Sequence, residues 1–159
     1  MRYSVFVSHS MRQEDLGLVY ETARQAHARG IDCYIAERDY NFGHSLPQKI
    51  ETAIKVCDCL IAFYTHGGAY SPFVNQEIGF ARAHKKLRIL IVEKGIKVSG
   101  FDVDKEYIEL DRLDPRKAIA TLNYYLSRLK ADKEQKGRNG LFFVIGVIGL
   151  LILAGKSKS

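Results

Sequence analysis

Apolar positions along the chain switch repeatedly between two spacings. Tyr3–Val7 is a short β-branched and aromatic run that predicts a strand. Gln13–Arg29 places Leu16, Val19, Tyr20, Ala23 and Ala26 at helical spacing, and Gly30 supplies a C-terminal stop. Asp32–Ala36 predicts a second strand. Asn41–Ser45, with Gly43, reads as a loop, and Pro47 suits the first turn of a helix through Ala53. Val56–Tyr64 is apolar nearly throughout, as a central parallel strand buried on both faces requires. Ser71-Pro72 opens the next helix, with Ser as cap and Pro at the first helical position, running to about His84. Leu87–Val92 and a weak Tyr107–Leu110 complete the strands, and Pro115–Leu129 is a last amphipathic helix. Alternation of this kind predicts an α/β fold: a parallel sheet covered on both faces.

Beyond the last helix the pattern changes. Asp132–Asn139 is polar and charged, so residues 131–140 read as a linker after a domain spanning 1–130. Leu141–Gly155 carries no charge and no polar side chain. As a helix it is roughly 22 Å long at ~1.5 Å per residue, short of the ~30 Å hydrocarbon core. Arg138, Lys156 and Lys158 flank it and can snorkel to headgroups. A run apolar on all sides predicts a membrane-spanning or membrane-anchoring helix, the alternative being a helix buried in an oligomer. Lys and Arg before the run outnumber those after it, which puts the N-terminal domain on the cytoplasmic side of a single-pass protein.

Charge sharpens this division. The formal net charge is +6. Residues 1–127 hold 17 Lys/Arg and 16 Asp/Glu, whereas residues 128–159 hold 7 and 2. A nearly neutral body lacks the basic stripe of a nucleic-acid-binding domain. Met1–Ser8 does not resemble a secretory signal. Cys33, Cys57 and Cys59 form no Cys-x-x-Cys pair and read as small core residues of a reduced, cytosolic domain, with no metal site.

Ligands of such sheets bind at the carboxyl ends of the strands. Those ends read Ser8-His9-Ser10, Glu37-Arg38-Asp39 and Tyr64-Thr65-His66, the last followed by Gly67-Gly68. No P-loop, no dinucleotide fingerprint and no nucleophile elbow occurs, and Ser8 and Tyr64 stand where a phospho-receiver needs carboxylates. What remains is Glu77, early in the helix that Ser71 opens, placed to face the end of the third strand. Its spacing alone fits either a dipole partner or a catalyst.

These residues resemble a known family. Tyr3–Ser10 is similar to the first box of Toll/interleukin-1 receptor (TIR) domains. Ile35–Leu46, with Arg38-Asp39 and Gly43, is similar to the family's loop after strand two. Ser71-Pro72-Phe73-Val74-Asn75-Gln76-Glu77 resembles the Ser-x-Trp-Cys-x-x-Glu box that carries the catalytic glutamate, with Phe73 and Val74 replacing Trp and Cys. Gly100-Phe101 lies near a later box. The resemblance spans residues 3–127, and Asn75–Ala81 looks like prokaryotic TIR proteins of the Thoeris antiphage type.

The resemblance implies a flavodoxin-like sheet in the order 2-1-3-4-5. For many members it also implies cleavage of the nicotinamide–ribose bond of NAD, giving ADP-ribose or a cyclised or transferred messenger. On that basis Glu77 is the catalytic residue, and Ser71 positions it or a ribose hydroxyl. Phe6, Ser8 and Tyr64 line the floor, with His9 at the mouth. Arg38, Gly43 and Ser45 belong to a lid over the pyrophosphate. NAD is a substrate and no cofactor is expected. Expected partners are further copies of the chain, the membrane through 141–155 and an effector that senses the product. Two alternatives stay open: a non-enzymatic TIR adaptor, and a nucleoside deoxyribosyltransferase-like enzyme.

Overall fold

The structure is a computed structural model that describes residues 2–36, 46–98 and 107–139. Its elements are β1 (Tyr3–Ser8), α1 (Gln13–His27), β2 (Ile31–Ile35), α2 (Leu46–Val56), β3 (Cys59–Tyr64), α3 (Pro72–Ala83), β4 (Leu87–Glu93), β5 (Tyr107–Leu110) and α4 (Pro115–Asn139). The five strands form one sheet in the order β2-β1-β3-β4-β5, and every pairing is parallel. All strand starts therefore lie at one edge and all carboxyl ends at the other.

Strand parity divides the interior into two layers. Val5 and Val7 of β1, with Cys59, Ile61 and Phe63 of β3, face α1 and α4, where Val19, Leu122 and Leu126 close the layer. Phe6 of β1, with Leu60, Ala62 and Tyr64 of β3, faces α2 and α3, packing on Ile54, Val74 and Ile78. All of β3 is buried, as its apolar run predicts. The three cysteines are free thiols, and burial raises the pKa of each.

Two boundaries depart from the sequence reading by three residues or more. Val56, read as the start of a strand, ends α2 and is 75% exposed, so β3 begins only at Cys59. The residues read as a linker from 131 are helical as far as Asn139. The cause is a set of lysine contacts that polar composition conceals. Lys130 Nζ donates to the Arg29 carbonyl at 2.9 Å beside Gly30, which takes a positive φ of 70° in the turn between α1 and β2. Lys133 Nζ bridges both Asp58 carboxylate oxygens, at 2.7 and 2.8 Å, and the Arg2 carbonyl at 2.9 Å. These stems fasten α4 to the strand starts.

The predicted lid, with Arg38, Gly43 and Ser45, lies outside the described residues, as do Gly100-Phe101 and the apolar run 141–155. Among the described residues no helix is long and apolar enough to cross a membrane.

Candidate active site

The carboxyl edge gathers two polar groups. The first joins β1 to α3. Ser8 ends β1 in register with Ala62 of β3, on the α3 side of the sheet. α3 starts where the sequence predicts: Ser71 is extended, its Oγ accepts from Val74 N at 3.4 Å, and Pro72 occupies the first helical position. One and a half turns later Glu77 is only 2% exposed. Ser8 Oγ donates a hydrogen bond to Glu77 Oε2. A carboxylate taken out of water needs such a donor, and Ser8 supplies it from the neighbouring strand end.

The other expected site residues are distributed around this pair. His9 is buried, and its Nδ1 donates to the Ser10 carbonyl at 2.7 Å, an oxygen that can only accept. Phe6 is fully buried under α2 and α3, with its ring stacked on Tyr34 at 5.4 Å between centroids. Tyr64 is buried in the same layer. Ser71 serves as the α3 cap, while Ser8, expected only on the floor, is the hydroxyl on the glutamate. Phe73, in the Trp position of the box, is 48% exposed, so α3 packs through Val74, Ile78 and Ala81 instead. Among the described residues no group of side chains is arranged to hold a metal.

The second polar group was not singled out by sequence reasoning. Asp15, in the first turn of α1, is fully buried. Its Oδ2 accepts from Ser10 Oγ and, at 2.6 Å, from Thr65 Oγ1, while Oδ1 accepts from Arg112 at 2.8 Å. Arg112 also forks onto Glu93, the last residue of β4, at 2.7 and 2.8 Å. Glu93 in turn accepts from the backbone N–H of His66 at 3.0 Å, and Thr65 Oγ1 accepts from Gly68 N at 3.0 Å. The ends of β1, β3, β4 and β5 are thus tied to the loop that leads into α3. Gly68 has to be glycine here, because a Cβ would sit 2.0 Å from the Phe63 carbonyl oxygen.

Arg112 holds the Glu93 carboxyl down from 4.5 to about 2, with the His66 bonds adding to the hold and partial burial opposing it. A carboxylate depressed in the fold stabilises it above its unfolded pKa of ~4.3, and that contribution is lost as pH falls toward 2. We expect acid unfolding, followed by circular dichroism, to set in across that interval. Glu93→Gln should be less stable at neutral pH and show a shallower decline below it. An acid curve of unchanged shape would refute this linkage.

Comparison with known proteins places this geometry. A family model described as TIR domain matches residues 5–123. Among solved structures, the TIR domain of the Toll-related receptor TRR-2 from Hydra magnipapillata is 18% identical. That match covers 79% of this chain and 98% of that one, with a TM-score of 0.63. The CMP N-glycosidase BcmB of Clostridium botulinum is 21% identical over 77% of this chain and 98% of that one, with a TM-score of 0.60. A prokaryotic SEFIR domain is 18% identical over 79% and 92%, with a TM-score of 0.54. A search of curated proteins found no match.

Proposed function

This chain belongs to the TIR-domain family, and from that premise we propose that it cleaves the nicotinamide–ribose bond of NAD, with Glu77 as the catalytic residue. The observation that carries the reading is the buried Ser8–Glu77 pair at the carboxyl ends of the strands. The nicotinamide of NAD already bears a positive charge, so its departure needs no general acid. What it leaves is an oxocarbenium-like ribose. A fixed carboxylate stabilises that developing charge and can accept hydrogen bonds from the ribose hydroxyls. A single buried glutamate is therefore enough for the demanding step. A protein of the same fold is named a CMP N-glycosidase, so the architecture is compatible with N-glycosidic chemistry.

Ser8 is the positioning residue in this scheme, since its hydroxyl fixes one carboxylate oxygen. Ser8→Ala is expected to lower kcat by on the order of ten- to a hundredfold, the scale of a hydrogen bond to a charged group, with KM little changed. A rise in KM with kcat intact would instead mean that Ser8 meets the substrate directly.

The wider role we propose is antiphage defence of the Thoeris type, in which a cyclised or transferred product signals to an effector. TIR domains commonly make homotypic contacts, and clustering of this domain would precede catalysis. Leu141–Gly155 would tether the chain to a membrane as a single-pass anchor, with the TIR domain in the cytoplasm. The deciding experiment is mass spectrometry of nucleotides after incubating the clustered chain with NAD. Nicotinamide release with an ADP-ribose product supports the enzyme. Intact NAD beside clear self-association would replace it with the adaptor reading.

A further inference from the structure

The charges of the body are nearly balanced in number but not in place. In a parallel sheet every strand start lies at the amino edge, and cations collect there. Arg2 precedes β1, Arg29 precedes the Gly30 turn into β2, and Lys85 and Lys86 precede β4. Lys130 and Lys133 of α4 join them through their bonds to the Arg29 and Arg2 carbonyls. Three of these cations face carboxylates, Arg2 with Asp32 at 3.4 Å, Lys133 with Asp58 and Lys130 with Glu134 at 3.8 Å, so the excess of positive charge is carried by Arg29, Lys85 and Lys86. The opposite edge carries Glu77, Asp15 and Glu93, with Arg112 shared between the last two, so carboxylates outnumber that cation there. The domain is therefore electrically polar along the strand direction, although its total is close to neutral.

The end of α4 gives this polarity a direction. After Lys133 the helix continues to Asn139, ~9 Å farther at ~1.5 Å per residue, moving away from the strand starts. The apolar run 141–155 follows at once. We propose that the basic amino edge is a docking surface for an anionic lipid bilayer, so that the Glu77 edge points away from the membrane. This rests on the membrane-anchor reading given above. A tether alone leaves a domain free to tumble. A cationic face next to the tether orients it, because anionic headgroups attract Lys and Arg within a Debye length of the surface. Substrate then reaches the site from the open cytoplasm.

Lysine footprinting of the full chain tests the orientation. The chain is reconstituted into nanodiscs of phosphatidylcholine alone, or of an equimolar mixture with phosphatidylglycerol, whose headgroup has no amine to compete for the reagent. Lys85 is exposed at the amino edge, and Lys94, with its side chain 67% exposed, lies just past the carboxyl end of β4. Acylation of Lys85 should slow several-fold in the anionic discs while Lys94 is unchanged, and raised salt should abolish the difference. Arg29→Glu, read out at Lys85, should also reduce it. Equal rates at Lys85 in both discs, with the chain inserted, would overturn the docking surface and leave the anchor standing. If the chain fails to enter neutral discs, the anchor reading falls. The surface is then judged by cosedimentation with phosphatidylglycerol vesicles, where Lys85 protection upholds it and absence of binding overturns it.

Discussion

Glu77→Gln should reduce NAD cleavage on the order of a thousandfold, the scale of removing one preorganised electrostatic group from an active site. The substitution keeps the shape of the side chain and an oxygen that can still accept from Ser8 Oγ, the bond that ties α3 to β1. What it removes is the negative charge that the proposed mechanism sets against the developing ribose cation. Folding and activity should therefore separate. The thermal melt should stay near that of the wild type while nicotinamide release disappears. Comparable NAD consumption by the two proteins would sink the assignment of Glu77. A variant that fails to fold would leave Ser8→Ala, which keeps the carboxylate, as the working test of the pair.

Asp15→Ala should be the most damaging polar substitution in the domain, at a cost of about 3–5 kcal/mol. Asp15 is fully buried and accepts from Ser10, Thr65 and Arg112. Removing it leaves two buried hydroxyls without their acceptor and takes one of two carboxylates from Arg112. At about 2–4 °C per kcal/mol for a chain of this size, the melting temperature should fall on the order of 10 °C. The damage should also reach the chemistry, because Thr65 braces the Gly68 turn that leads into α3. A melting temperature within a degree or two of the wild type would show that the network contributes little.

The order of elements was legible because each carries a local signal: the apolar run of β3, the Ser71-Pro72 cap and the helical spacing of α1. The two ends of the Ser8–Glu77 pair were also legible, since a parallel sheet brings carboxyl ends to one edge. Which serine touches the glutamate was not. Ser71 shares a helix with Glu77 but is spent on capping, whereas Ser8 lies across the sheet. The Asp15–Arg112–Glu93 network left no periodic trace, because its members meet only once the strands are ordered. The linker reading failed for a related reason. Lys130 and Lys133 look solvated in a one-dimensional count, yet their ammonium groups bind the Arg29 carbonyl and the Asp58 carboxylate. Splitting the charge at Arg128 separated these cations from Arg2 and Arg29, their neighbours in space.

The clasp between Lys133 and the Arg2 carbonyl joins the start of the first strand to the last of the described helices. During synthesis β1 emerges first, but the helix that covers its α1–α4 face and fastens its start is made last. The nascent chain must therefore carry an unsealed sheet until α4 is complete. At about 5–20 residues per second, the apolar run follows Lys133 within a few seconds. Closure of the domain and exposure of its stickiest segment are thus nearly simultaneous events. A ribosome that pauses before α4 would hold the chain with the α1–α4 face of its sheet unsealed.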